Sequence, residues 1–159
     1  MAETQGKIQL LLRIAHRLNE AHVEWALGAS MLLYFKGITS EFHDIDLMVA
    51  ERNTECVRTI LSEMGEFCPS DSNPTTMYRT KNFMEFLIDS VEVDVMAGFA
   101  IVKDGKVYDC ALRKEQIVEK MLLGEEVIPL QSPLLWCKYY RLMGRPEKAE
   151  MIDSNSNFV

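Results

Sequence analysis

Apolar side chains recur at Ile8, Leu11, Leu12, Ala15 and Leu18, the spacing of one helical face, and predict an amphipathic helix over residues 5–20. His16 and His22 lie in or just after it with no second ligand cluster nearby, so both read as structural or solvated. Residues 23–27 read as a short strand ended by Gly28, and Ser30 is placed to cap a helix through Met31, Leu32, Leu33, Tyr34 and Phe35 that Gly37 stops. A polar stretch then leads into Asp44-Ile45-Asp46-Leu47-Met48-Val49-Ala50, whose Ile, Leu and Val suit a strand. Asn53 starts a helix with the apolar stripe Val57, Ile60, Leu61 and Met64 and Gly65 past its end.

Residues 66–75 hold two prolines among Ser, Asp and Asn and form a loop by composition. Residues 77–80, 83–88 and 91–96 read as successive strands, and Lys103-Asp104-Gly105-Lys106 is a two-residue hairpin signal, which together predict an edge meander. The pattern returns to helix around 113–123 and is extended at Val127-Ile128-Pro129-Leu130. Ser132-Pro133 then supplies an N-cap and a first-turn proline for a helix that Gly144 ends. Arg145-Pro146 begins a last short helix to about Ile152, followed by a frayed tail.

Composition narrows the class. The 159 residues suit one domain, and at 48% hydrophobic the chain can build an ordinary core without a covalent staple. Cys56, Cys68, Cys110 and Cys137 are scattered with no Cys-x-x-Cys pair and read as reduced thiols. The N-terminal residues lack a basic region followed by an apolar run. No stretch approaches the ~20 apolar residues of a membrane span, so a soluble cytoplasmic protein without membrane attachment is expected. A net charge of −7 disfavours a long nucleic-acid partner, whose binding selects for clustered Lys and Arg. The acid is uneven: residues 1–100 carry 15 acidic and 8 basic side chains, the remainder nine of each.

That imbalance coincides with the candidate chemistry. Asp44 and Asp46 are two apart on an expected strand, so they share a face while Ile45 and Leu47 point to the core. The spacing suits a hard cation such as Mg²⁺, although an isolated Asp-x-Asp usually marks a solvated face. A third carboxylate changes that reading. Val91-Glu92-Val93-Asp94-Val95 alternates strictly, and with neighbouring strands ~4.8 Å apart Asp94 can stand beside Asp44 and Asp46 if the two strands adjoin. Three clustered carboxylates repel, so in the metal-free protein at least one should titrate high. Upstream, Gly28-Ala29-Ser30 sits between a strand and a helix, where a glycine lets a phosphate approach the backbone.

Strand, Gly28-Ala29-Ser30, helix, Asp44-Ile45-Asp46 and a later strand Asp94 together resemble the nucleotidyltransferase superfamily that includes DNA polymerase beta. The small size and the downstream helices look most like its minimal antibiotic and antitoxin-type members. The resemblance implies an α+β fold, a mixed sheet flanked by helices, in a single domain over 1–159 with a core of about 8–110 and a C-terminal helical part of about 111–153. It also implies transfer of a nucleoside monophosphate from an NTP to a hydroxyl acceptor, a small molecule or a protein side chain, with Mg²⁺, in two ions, as cofactor. On that model Gly28 and Ser30 hold the terminal phosphates, Asp44 and Asp46 bind the metals, and Asp94 completes the metal site and acts on the acceptor hydroxyl.

Two departures stand out: Ala29 replaces the Gly or Ser that relatives carry in the turn, and residues 37–43 lack the basic residue they often have there. His43, directly before Asp44, reads first as a structural or supporting histidine. Lys138 and Arg141, three apart on a helix and followed by Arg145, are the best supply of cations for the triphosphate, with Trp136, Tyr139 and Tyr140 available to pack or to stack on a base. Arg79 and Lys81 form a second pair. Those aromatics also suggest a homodimer or a protein partner. The competing reading is an antitoxin-like binding module of the same fold with little or no turnover, because function resides in the site and not in the fold.

Overall fold

A computed structural model describes residues 3–69 and 77–155. Its first helix, α1 (Thr4–Glu20), buries Leu10, Leu11, Ile14, Ala15 and Leu18, close to the stripe its spacing predicts. The chain continues through β1 (Trp25–Gly28), α2 (Ala29–Phe35), β2 (Ile45–Val49), a 3-10 turn at Glu51–Asn53, α3 (Thr54–Met64) and β3 (Glu66–Cys68). It then forms β4 (Asn82–Ile88), β5 (Val91–Ala97), β6 (Ala100–Lys103), β7 (Lys106–Asp109), β8 (Ile117–Leu123) and β9 (Glu126–Gln131). Helices α4 (Pro133–Leu142) and α5 (Pro146–Asp153) close the described chain.

Seven strands make one mixed sheet in the order β3-β4-β5-β2-β1-β9-β8, and β6 and β7 form a separate hairpin. Within the large sheet β2 runs parallel to β5 and β1 parallel to β9, while the other neighbours are antiparallel. The alternation of β5 decides how its faces are used. Val91, Val93 and Val95 are buried with Met84, Phe86 and Ile88 of β4 and Ile45 and Leu47 of β2. Helix α3 packs on β3 and β4 and also meets α1, which lies against β9. Even-numbered β2 and β5 side chains turn to the other face, where the polar chemistry gathers.

The α+β class and the mixed sheet with C-terminal helices match the expectation, and several elements do not. The helix expected at 113–123 is a 3-10 turn at Lys114–Gln116 followed by strand β8. Ile117 and Val118 are β-branched, Gly124 has φ +60° in a two-residue turn, and Leu123 pairs with Glu126, so the apolar run belongs to a hairpin. The C-terminal part is therefore helical only from Pro133. Its β9 lies inside the sheet, between β1 and the edge strand β8.

Ser30 does not cap α2. Gly28 holds the N-cap position, and no side chain accepts there. The Asn53 side chain accepts from the Glu24 N–H (3.0 Å) instead of capping α3. Of the strand expected at 77–80, a single bridge from Tyr78 to Ile101 remains. The expected loop at 66–75 begins with β3, and its residues 70–76 lie outside the described residues, as do 156–159 of the expected tail. Ser132 does cap α4: its Oγ accepts from the Leu134 N–H at 3.0 Å, with Pro133 at the first helical position. No described helix is long and apolar enough to cross a membrane.

Candidate active site

The floor of the site follows from strand register. Parallel pairing of β2 with β5 puts Asp46 directly opposite Asp94, while antiparallel pairing of β1 with β2 puts Gly28 opposite Asp46. Antiparallel pairing of β4 with β5 adds Glu85 beside Asp94. Asp44 lies one residue before β2, close enough to Glu92 for its charge to raise that carboxyl. Asp44, Asp46 and Asp94 thus converge as their spacing predicts, and Glu85 and Glu92 extend the acidic surface. The sequence reading passed over both glutamates, although Glu92 shares a face with Asp94.

Electrostatics registers the crowding. Burial first, then the charges of Asp94 and Asp44, hold the Asp46 carboxyl well above its usual range, while Lys148 and Arg145 act against them. Asp94 is pushed up to about 7 by burial and then by Asp44, Glu85 and Glu92. Glu92 is raised mainly by the Asp44 charge. Among the described residues no three His, Cys, Asp or Glu side chains make a ready-formed metal cage.

Above this floor is a cleft of about 380 Å³ lined by the three aspartates, Ala29, Ser30, His43 and Tyr78, together with Thr80, Phe83, Met96 and Phe99. Trp136, Tyr140, Met143, Arg145 and Lys148 complete it from the C-terminal helices. Its volume and its mix of aromatic and convergent polar groups suit a small-molecule ligand. Trp136, Tyr140 and Met143 recur at helical spacing and turn one side of α4 and its end toward the cleft.

That geometry corrects the assignment of cations. Lys138 is two residues past Trp136, hence on the far side of α4, and neither it nor Arg141 lines the cleft. Arg141 is paired with Asp153 of α5 and donates to the Cys137 Sγ at 3.0 Å. The cations at the cleft are Arg145 and Lys148, both over the Tyr140 ring, 5.5 and 5.9 Å from its centroid. Lys148 was legible by the same three-residue spacing that selected Lys138 and Arg141. Arg79 is exposed and donates to the Tyr78 carbonyl, and Lys81 pairs with Glu51. Neither lines this cleft.

The turn between β1 and α2 also differs from its sequence reading. A Cβ on Gly28 would lie 2.6 Å from Trp136 Cζ2 and 2.8 Å from Nε1, so the indole occupies the space a side chain would need. Glycine is required there by the tryptophan, whatever else approaches. Ala29 follows with φ +54°, in the left-handed region that costs an L-residue ~1–2 kcal/mol. Trp136 is held in turn by its neighbours: it stacks on Phe99 (6.1 Å, 21°) and meets Tyr139 edge-on (5.2 Å). Trp136, Tyr139 and Tyr140 are all buried, so the surface that suggested a dimer is interior.

The family model for aminoglycoside-2''-adenylyltransferase matches residues 10–153. No curated protein matches the chain. Among solved structures it is similar to a Thermotoga maritima protein assigned as a nucleotidyltransferase, with 24% identity, a TM-score of 0.74, and coverage of 98% of this chain and 96% of that one. It is also similar to ANT(2'')-Ia in complex with adenylyl-2''-tobramycin (12% identity, TM-score 0.63, 94% and 88% covered). The lincosamide antibiotic adenylyltransferase LnuA, solved with lincomycin, gives 14% identity and a TM-score of 0.58 over 92% and 96% of the two chains. These likenesses establish the shared fold.

Proposed function

Because the chain belongs to the aminoglycoside-2''-adenylyltransferase family, we propose that it transfers AMP from ATP to a hydroxyl of a small, amine-bearing acceptor, an aminoglycoside-like antibiotic. The observation that carries this reading is the pairing of Asp46 with Asp94 across β2 and β5 on the floor of the cleft. An acidic rim that adds Glu85 and Glu92 favours a cationic acceptor over a nucleic acid.

The donor set fits Mg²⁺. Its candidate ligands are carboxylate oxygens, burial and neighbouring carboxylates hold the Asp46 and Asp94 carboxyls above their usual range, and the lack of a closed cage among the described residues agrees with an ion bound through one or two carboxylates plus substrate phosphates. Asp44 and Asp46 would hold the metal, with Asp94 completing a second site. When bound, two such ions supply charge neutralisation at the attacking and leaving oxygens of an in-line displacement.

The chain's own groups do the rest. Arg145 and Lys148 bind the β- and γ-phosphates, and the Ser30 hydroxyl and the backbone at Gly28 orient them. Tyr140 keeps both cations at the cleft. The acceptor oxygen bonds to the α-phosphorus as the bond to the bridging oxygen breaks, and pyrophosphate leaves with the electron pair. Asp94 takes the acceptor proton, as a carboxylate on the floor of the cleft within reach of the acceptor hydroxyl.

The test is labelled transfer from each of four NTPs with Mg²⁺ to a panel of aminoglycosides and lincosamides. Transfer from ATP that Asp46→Asn abolishes supports the proposal. A melting temperature unmoved by every NTP with Mg²⁺ would sink it, since a ligand at a hundredfold excess over Kd stabilises by ~2.7 kcal/mol. Nucleotide binding without transfer to any acceptor would favour the binding-module alternative.

A further inference from the structure

Gln131, at the end of β9, is completely buried and is hydrogen-bonded at both ends of its amide. Its Oε1 accepts from the Trp136 indole N–H at 2.7 Å, and its Nε2 donates to Gln116 Oε1 at 3.1 Å. Gln116 Oε1 also accepts from the Arg113 N–H (3.2 Å), which anchors this relay in the 3-10 turn before β8. The indole edge that carries the bonded Nε1 is the same edge that occupies the side-chain space of Gly28. Gly28 stands opposite Asp46, and the next two residues, Ala29 and Ser30, line the cleft. A buried amide that does not line the cleft therefore reaches, through one ring, the turn that faces the carboxylates.

We propose that Gln131 is a positioning residue: by fixing the Trp136 indole against Gly28, it sets where the β1–α2 turn stands relative to Asp46. This rests on the reading of the cleft as a nucleotide site. A rigid turn matters here because a buried hydrogen-bonded network holds its members in one arrangement, while an indole N–H left without an acceptor is free to rotate its ring away. The Phe99, Tyr139 and Tyr140 rings retain the indole as a hydrophobic body but do not fix its N–H edge.

The test replaces Gln131 by Met, which keeps the volume and removes the acceptor. The expected result is an affinity for a non-hydrolysable ATP analogue with Mg²⁺ lowered about tenfold, with the KM for the acceptor unchanged. The amide NMR signals of Gly28, Ala29 and Ser30 should shift together with the indole N–H. In a Trp136→Phe background, which lacks the N–H, the Gln131→Met change should add nothing. Gln131→Glu, whose buried acid is neutral and still offers an acceptor and an O–H donor, should restore affinity.

Unchanged affinity, equal losses in both backgrounds, or unmoved Gly28–Ser30 amides overturn the inference. A wild-type chain that binds no nucleotide refutes the proposed function alone, and the amide shifts then decide the positioning role by themselves. Where the Gln131→Met chain does not fold, Trp136→Phe replaces it with the same expected amide shifts and loss of affinity, and its unchanged affinity is overturning.

Discussion

Replacing Asp94 by Asn removes one of the crowded carboxylates at nearly constant shape, so the metal-free chain should gain stability as it loses transfer. The Asp94 carboxyl is pushed from 3.8 to about 7 by burial and then by Asp44, Glu85 and Glu92. The folded state keeps this proton at a pH where the unfolded chain has released it. Its contribution is therefore fully present below the unfolded value and is lost as pH rises through the window between these two values. At ~1.36 kcal/mol for each tenfold change in proton affinity, the displacement from 3.8 to about 7 sets a ceiling of ~4 kcal/mol at neutral pH. Because Asp94 is only half-buried, solvent screening brings the expected cost to ~1–2 kcal/mol, or about 2–8 °C in Tm for a chain of this size.

Urea denaturation with a chelator, at pH 7.5 and at pH 4, measures this. Asp94→Asn should be the more stable chain at pH 7.5, the two should converge toward pH 4, and Mg²⁺ with ATP should reverse the ranking by stabilising the wild type. A variant less stable at pH 7.5, or a gap that does not narrow on acidification, would refute the reasoning.

Three further outcomes are expected. Gly28→Ala forces a Cβ to 2.6 Å from an indole already hydrogen-bonded and stacked, so it should cost ~1–3 kcal/mol by chemical denaturation, and an additional Trp136→Leu change should recover part of that. Arg145→Ala or Lys148→Ala should raise the KM for ATP about tenfold, the scale of one charge-assisted hydrogen bond, while Lys138→Ala and Arg141→Ala leave it within about twofold; equal effects in steady-state kinetics would return the phosphates to α4. Ala29→Gly relieves ~1–2 kcal/mol of left-handed strain and restores ~0.4–1 kcal/mol of unfolded-state freedom, for a net stabilisation of ~0.5–1 kcal/mol that a shift in urea midpoint reads directly.

The carboxylates were legible because strand periodicity is strict: alternation alone put Asp44, Asp46 and Asp94 on polar faces, and only the adjacency of β2 and β5 had to be supplied by the fold. The cations were legible only as a set, not as to which of them face the cleft. Lys138–Arg141 and Arg145–Lys148 have the same spacing, and what separates them is which side of α4 the Trp136–Tyr140–Met143 stripe turns toward the sheet, a tertiary fact. Residues 113–123 failed for a related reason. A short apolar run fits a helix face or a buried strand equally well, and the Gly124-Glu125 turn that decides between them works through its pairing with β9. Gly28 stands out in the sequence for room it would give a phosphate, and in the structure the space of its missing side chain is filled by an indole more than a hundred positions along the chain.

The place of β9 has a consequence for how this molecule comes into being. Its pairing of Leu130 with Leu27 covers an edge of β1 that the N-terminal elements leave open. Contacts between such distant points of the chain slow folding, and until they form β1 presents unpaired backbone to any other strand. During synthesis β1 must wait for residues 126–131 to leave the ribosome. A chain stopped before β9 would carry all three aspartates and still be an aggregation hazard.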